Sequence, residues 1–204
     1  MRNAGFLLFA ISFFGILAFP SCSGDSKHPS ELASADSLCK VLKTADSLFN
    51  SMDSAVVTKS LQQINYSLAY IQQNQKDTIG RAEGKMLLEF YKIKRPLIAY
   101  SKQKKEVANN MHQEKEQCEN LSHDLKHNTL DTKLDLKTCL QNERSRVAAI
   151  SSFCSAIAPA VSRSMKNFKD LYPQIETRVN QLKAKGGKEP IGLDKINDSN
   201  EDKD

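Results

Sequence analysis

Glycine and proline are missing from a long stretch of this chain: neither occurs between Ser30 and Ile79. Without them a stretch of that length has few natural turns, which argues against a loop-rich or many-stranded fold. No phosphate-cradling loop, dinucleotide fingerprint or nucleophile motif is present. No two cysteines stand at the Cys-x-x-Cys spacing of a redox motif or zinc ribbon. The densest basic cluster, Lys102-Gln103-Lys104-Lys105, is followed at once by Glu106 and has no interleaved aromatics. It reads as a solvated helix face, so nucleic acid is not an expected partner. Positive and negative residues are interleaved along the chain, which carries a net charge of +5. These absences lead us to expect a protein that is not an enzyme and holds no cofactor.

Long hydrophobic runs are also scarce. One opens the chain, Phe6 to Phe19, broken by Ser12 and Gly15 and preceded by Arg2. As a helix it would span about 21 Å, short of the ~30 Å hydrocarbon core of a bilayer. A positive start, a short apolar run and small residues after it form the pattern of a cleaved secretory signal. The run ends in Phe19-Pro20-Ser21-Cys22-Ser23. This resembles the lipobox of bacterial lipoproteins, in the looser form found in Bacteroidota-type bacteria. Ser21 fits the pattern; Phe19 and Pro20 depart from it. The resemblance implies cleavage before Cys22, acylation of Cys22 and an outer-membrane destination, since Ser23 rather than Asp follows. With Asp25 as the lone acid near the cysteine, the periplasmic face is expected. An ordinary signal-peptidase cut after Ala18 or Ser23 is the competing reading.

The expected organisation is a signal peptide over 1–21, a lipidated tether over 22–30, a helical domain over 31–185 and a disordered tail over 186–204. The tether holds Gly24 and Pro29, and the tail holds Gly186, Gly187, Pro190 and many charges.

Within the domain, apolar residues recur at three and four. Leu38, Leu42, Ala45, Phe49, Met52 and Val56 form one series. After a shift of one residue it continues as Val57, Leu61, Ile64, Leu68 and Ile71. This is the period of an amphipathic helix, expected over 31–75 with Ser30 as its cap. A break near 50–53 would divide it in two. A second helix follows Asp77, its expected N-cap, and runs to His127. A third is expected from Thr129, as its cap, to Lys185, closed by Gly186, with Asn128 alone reversing the chain between them.

The second and third helices match when folded about Asn128. Residues whose numbers sum to about 257 then share a level, pairing Met86 with Tyr172, Phe90 with Phe168, Leu97 with Val161 and Leu121 with Leu136. Each series keeps the heptad spacing of knobs-into-holes packing. Pro96 and Pro159 fall almost opposite each other. The fold expected is all-α, an elongated antiparallel three-helix bundle with coiled-coil character, or a four-helix one if the first arm is broken. It resembles a spectrin-type bundle, without any motif specific to that family.

Apart from Cys22, the cysteines are Cys39, Cys118, Cys139 and Cys154. The same level rule places Cys118 opposite Cys139, and an exported protein favours disulfides, so this pair is expected to be bridged. Glu119, His123 and His127 share a face at i, i+4, i+8 and are the candidate metal ligands, although no metal is expected. Glu114 and Glu143 meet on the seam near Arg144 and Arg146, where facing carboxyls can raise one pKa. Gly80 and Gly84 suggest close helix packing. The functional expectation is a membrane-anchored, non-enzymatic interaction or spacer module with an envelope-protein or cell-wall partner. A ligand- or metal-binding bundle is the alternative.

Overall fold

The computed structural model describes residues 26–130 and 135–191. The expected signal segment and residues 22–25 of the expected tether, Cys22 among them, therefore lie outside the described residues. So does residues 192–204 of the tail. Four helices follow in order: α1 (Pro29–Asn50), α2 (Ser54–Asn74), α3 (Arg81–His127) and α4 (Leu136–Ala184). The protein is an all-α helical bundle. Among the described residues there is no strand.

The architecture has three arms. Both α1 and α2 pack against α3 and α4, and they follow each other end to end as one arm. Ser26 Oγ donates to the Leu125 carbonyl at 2.8 Å, so the first arm starts beside the end of α3. Asn74 bonds Lys188 just past α4, so that arm finishes at the opposite end. The path is up, down, up. At 1.5 Å per residue, α3 and α4 are each about 70 Å long.

The core follows the expected heptads. On α3, Phe90, Ile93, Leu97 and Tyr100 are buried, and Met111, Glu114, Cys118, Leu121 and Leu125 resume the stripe. On α4 the buried series runs from Leu140 through Val147, Cys154, Val161 and Phe168 to Val179. Phe90 and Phe168 stack with ring centroids 6.2 Å apart, at the level the sequence rule assigns them.

The first arm is not one helix over 31–75. It is interrupted at Ser51–Asp53, the position of the one-residue shift in its apolar series. A continuous helix would carry the later residues about 100° off the core. The break absorbs the extra residue and restores burial of Val57, Leu61 and Ile64. Asp53 caps the restart, accepting from the Ala55 and Val56 amides at 2.9 and 3.0 Å. The buried Tyr100 hydroxyl donates to the Met52 carbonyl at 3.1 Å, and Lys104 Nζ donates to Ser54 Oγ at 2.9 Å. Both α3 and α4 continue through Pro96 and Pro159.

Several expected ends move. His28, with Pro29 at the first helical position, precedes α1, in place of a cap at Ser30. Gly80, three residues past Asp77, precedes α3, so Asp77 is not its cap. Asn128 adopts the left-handed conformation (φ 56°) but does not reverse the chain alone. α4 starts only after Asp135, which accepts from the Thr138 amide, so Thr129 is not its cap. Gly80 and Gly84 do not mediate close helix packing: a Cβ on Gly80 would meet nothing within 4 Å, and one on Gly84 would meet the Ile79 side chain at 3.7 Å.

The first residues of the expected disordered tail are seated. Gly186 (φ +81°) closes α4, and the Gly187 amide donates to the Leu182 carbonyl at 3.0 Å. Lys188 exchanges two hydrogen bonds of 2.8 Å with the Asn74 side chain. The Tyr66 hydroxyl donates to Glu189 at 2.9 Å. A polar strap needs no apolar content to order when an Asn amide offers both a donor and an acceptor to its backbone.

Candidate functional site

Three groups of side chains carry chemistry: the cysteines, a buried ionic layer and the histidine end of α3.

Cys118 is bonded to Cys39, not to Cys139, with Cα atoms 5.8 Å apart. Cys139 and Cys154 are free. The expected pairing fails for a geometric reason. The buried stripe of α4 passes through Leu140 and Glu143, and Cys139 stands one residue off it, about 100° round the helix. Cys118 instead faces α1, where its sulfur also lies 3.4 Å from the Ala35 carbonyl. Burial pushes both free thiols above their usual pKa. They are therefore protonated and poorly nucleophilic at neutral pH.

Glu114 and Glu143 do meet across the α3–α4 seam, and both are buried. Arg146 clamps them. Its Nε lies 2.6 Å from Glu114 Oε1, a terminal nitrogen reaches Glu143 Oε1, and the same nitrogen donates to Gln117 Oε1 at 3.1 Å. Arg144, the other expected neighbour, is exposed. One guanidinium faces two carboxyls, so the layer is one positive charge short. Burial, then the hydrogen bond and charge of Glu143, push Glu114 up to about 7, against the opposing pull of Arg146. The second oxygens of both carboxyls are shielded from solvent. Two buried carboxyls joined across the seam by one guanidinium form a polar layer of the kind that fixes helix register. The 540 Å³ groove beside the α1–α2 break, floored by Met52, Val57 and Val161, includes neither carboxyl.

His123 and His127 share a face at the end of α3, with ring centroids 4.4 Å apart. His123 Nδ1 faces Asp124 Oδ1 at 3.5 Å, and both side chains are largely exposed. Asp124 also accepts from Thr129 Oγ1 at 2.9 Å. Glu119 is exposed on the same helix. Asp135, across the turn, is engaged by the amide and hydroxyl of Thr138, which hold its carboxyl below the usual range. Among the described residues, no three His, Cys, Asp or Glu side chains converge as a metal site would require.

The sequence pattern did not reveal the cluster at the opposite end. Tyr70 is fully buried, and burial raises its phenol above the ordinary value. Lys183 Nζ lies 5.1 Å from the Tyr66 ring centre and 5.4 Å from that of Tyr70. Arg178 Nε pairs with Glu83 at 2.8 Å and ties α4 to the start of α3. The available signal was Gly186-Gly187 placed within reach of two tyrosines on another helix.

No protein-family model matches the chain, and no curated protein or solved structure does.

Proposed function

We propose that this protein is a lipid-anchored envelope rod that acts without catalysis, presenting a helical surface to a partner or holding it at a distance from a membrane. Cys22 is the acylation site in this reading, the outer membrane its address and the periplasmic side its face. The partner is an envelope protein or the cell wall.

One observation carries most of the weight: α3 and α4, each about 70 Å long, lie side by side for about 60 Å. The described chain enters this rod at one end, where Lys27 N donates to Asn128 Oδ1 at 2.8 Å. An anchor preceding that point leaves the α2–α3 connection at the far end. The ionic layer supports a structural role, since its carboxyls are clamped by Arg146 and buried in a seam.

Two measurements test the reading. Small-angle scattering of the chain should give an elongated particle with a maximum dimension of at least about 70 Å. Labelled palmitate fed to cells should enter the wild-type protein and not Cys22→Ser. A compact particle ends the rod; an unlabelled wild type ends the anchor.

A further inference from the structure

The basic residues of α3 are segregated along its axis. From Arg81 to Lys105 the helix holds eight Lys or Arg against two Glu. From Glu106 to His127 it holds two Lys against five Asp or Glu. The positive half is the half far from Asn128, away from the end where the described chain enters the bundle.

Arg81, Lys85, Leu88, Lys92, Arg95 and Lys102 lie on one stripe, repeating at three and four and two residues out of phase with the buried Phe90–Ile93–Leu97 seam. Two residues are about 200° of helix, so this stripe looks straight outward. All six are exposed. Tyr91 stands beside them, 60% exposed, and Leu88 is 52% exposed. Ile79, itself partly exposed, folds over Gly84 and extends the apolar line towards the start of the helix. Glu83 is taken by Arg178 of α4 at 2.8 Å, off the stripe, and Glu89 holds Lys92 at 2.8 Å, which offsets one of the five basic charges of the stripe.

We propose that this outer stripe of α3, Arg81 to Lys102, is a docking surface for an anionic phospholipid bilayer, on which the anchored rod reclines. The stripe is convex and about 32 Å long, a shape that meets a plane along its length rather than a pocket or a peptide. Leucine and tyrosine flanked by lysine and arginine suit the boundary of headgroups and acyl chains. Each basic residue adds attraction to an anionic leaflet, screened by salt. The stripe holds a single aromatic, Tyr91, which offers no run of stacking platforms for a nucleic acid strand. The inference rests on the lipid-anchor reading, because an acyl tether holds the rod within reach of the leaflet, where the stripe has only to add contact along its length. Lying down would hide the stripe, and standing up would expose it, so anionic lipid content and ionic strength would set the posture of the rod.

The chain contains no tryptophan, so Tyr91→Trp places a single reporter on the stripe. The acylated protein carrying it is added to phosphatidylcholine vesicles with or without phosphatidylglycerol. On the anionic vesicles the emission should shift to the blue and be quenched by lipids brominated in their acyl chains. Both effects should fall about ten-fold in Lys85→Glu/Arg95→Glu and also in Leu88→Ser, and should vanish at high salt. An emission that stays that of a wet indole, or an equal shift on the zwitterionic vesicles, overturns the proposal. So does a shift produced by a single-stranded oligonucleotide but not by vesicles. Flotation separates the two ideas: protein that floats with a wet indole keeps its anchor and loses the stripe. Protein that shifts on anionic vesicles but fails to float on neutral ones keeps the stripe and loses the anchor.

Discussion

Gly187 lies so close to Tyr70 that a β-carbon on it would sit 2.6 Å from the phenol oxygen and 2.8 Å from the Leu182 carbonyl oxygen. The second of these atoms is backbone and cannot swing away. Gly187→Ala should therefore lift the 188–191 strap off α2 and cost about 1–2 kcal/mol, seen as a lower thermal midpoint. Gly186→Ala meets open space but must adopt φ near +81°. Its cost is about 1 kcal/mol from backbone conformation alone. A midpoint unchanged in Gly187→Ala would contradict this packing.

Peptide mapping without reductant should recover Cys39 linked to Cys118, with Cys139 and Cys154 alkylated after unfolding. In the folded protein the half-buried Cys139 should react before the buried Cys154. The bond closes a loop whose ends are 79 residues apart, so its removal should cost on the order of 4 kcal/mol in the chain-entropy account. A peptide joining Cys118 to Cys139 is the outcome that would refute this.

The ionic layer makes stability depend on pH with an unusual sign. The folded-state pKa of Glu114 is raised from 4.5 to about 7, so the folded form holds a proton that the unfolded form has lost. Stability from this group is complete below about pH 4.5 and declines as pH rises towards 7, then levels off. Glu114→Gln keeps a donor towards Glu143 and removes the ionisation. Urea melts should show the variant more stable than wild type at pH 8, by about 1–3 kcal/mol, and close to it at pH 4.5. Equal slopes between pH 5 and 7 for both proteins would remove the assignment.

Asp53→Ala deletes the cap that restarts the first arm and should cost about 1 kcal/mol. Amide exchange should quicken first at Ser54 to Val57 in the variant. No change in exchange there would mean that Tyr100 and Lys104 hold the break without the cap.

Much of this architecture was readable from spacing. The α3–α4 pairing follows because two helices of equal rise joined near residue 128 leave one free variable, the offset, and Phe90 with Phe168 fixes it. The break was visible as the extra residue between Met52 and Val57. Pairing of Cys118 was not, since a seam residue in a three-arm bundle touches two neighbours and the level rule described one. The offset of α1 against α3 depends on the broken segment, which no periodicity measures. The strap at Lys188 escaped because Asn74 and Gly187 recognise backbone, and backbone leaves no pattern in side-chain hydrophobicity. The histidine pair was legible as a pair, while the absence of a third described ligand depends on how Asp135 is used, as a cap.

The position of the Cys39–Cys118 bond has a mechanical corollary. A pull from the N-terminal side meets α1 first, and residues 29–38 can peel from the bundle turn by turn. At Cys39 the covalent link hands the load to the interior of unbroken α3. Under oxidising conditions the peeling stops there; under reduction it runs on to the gap at 51–53, which gives this protein a tear-stop set by its redox surroundings.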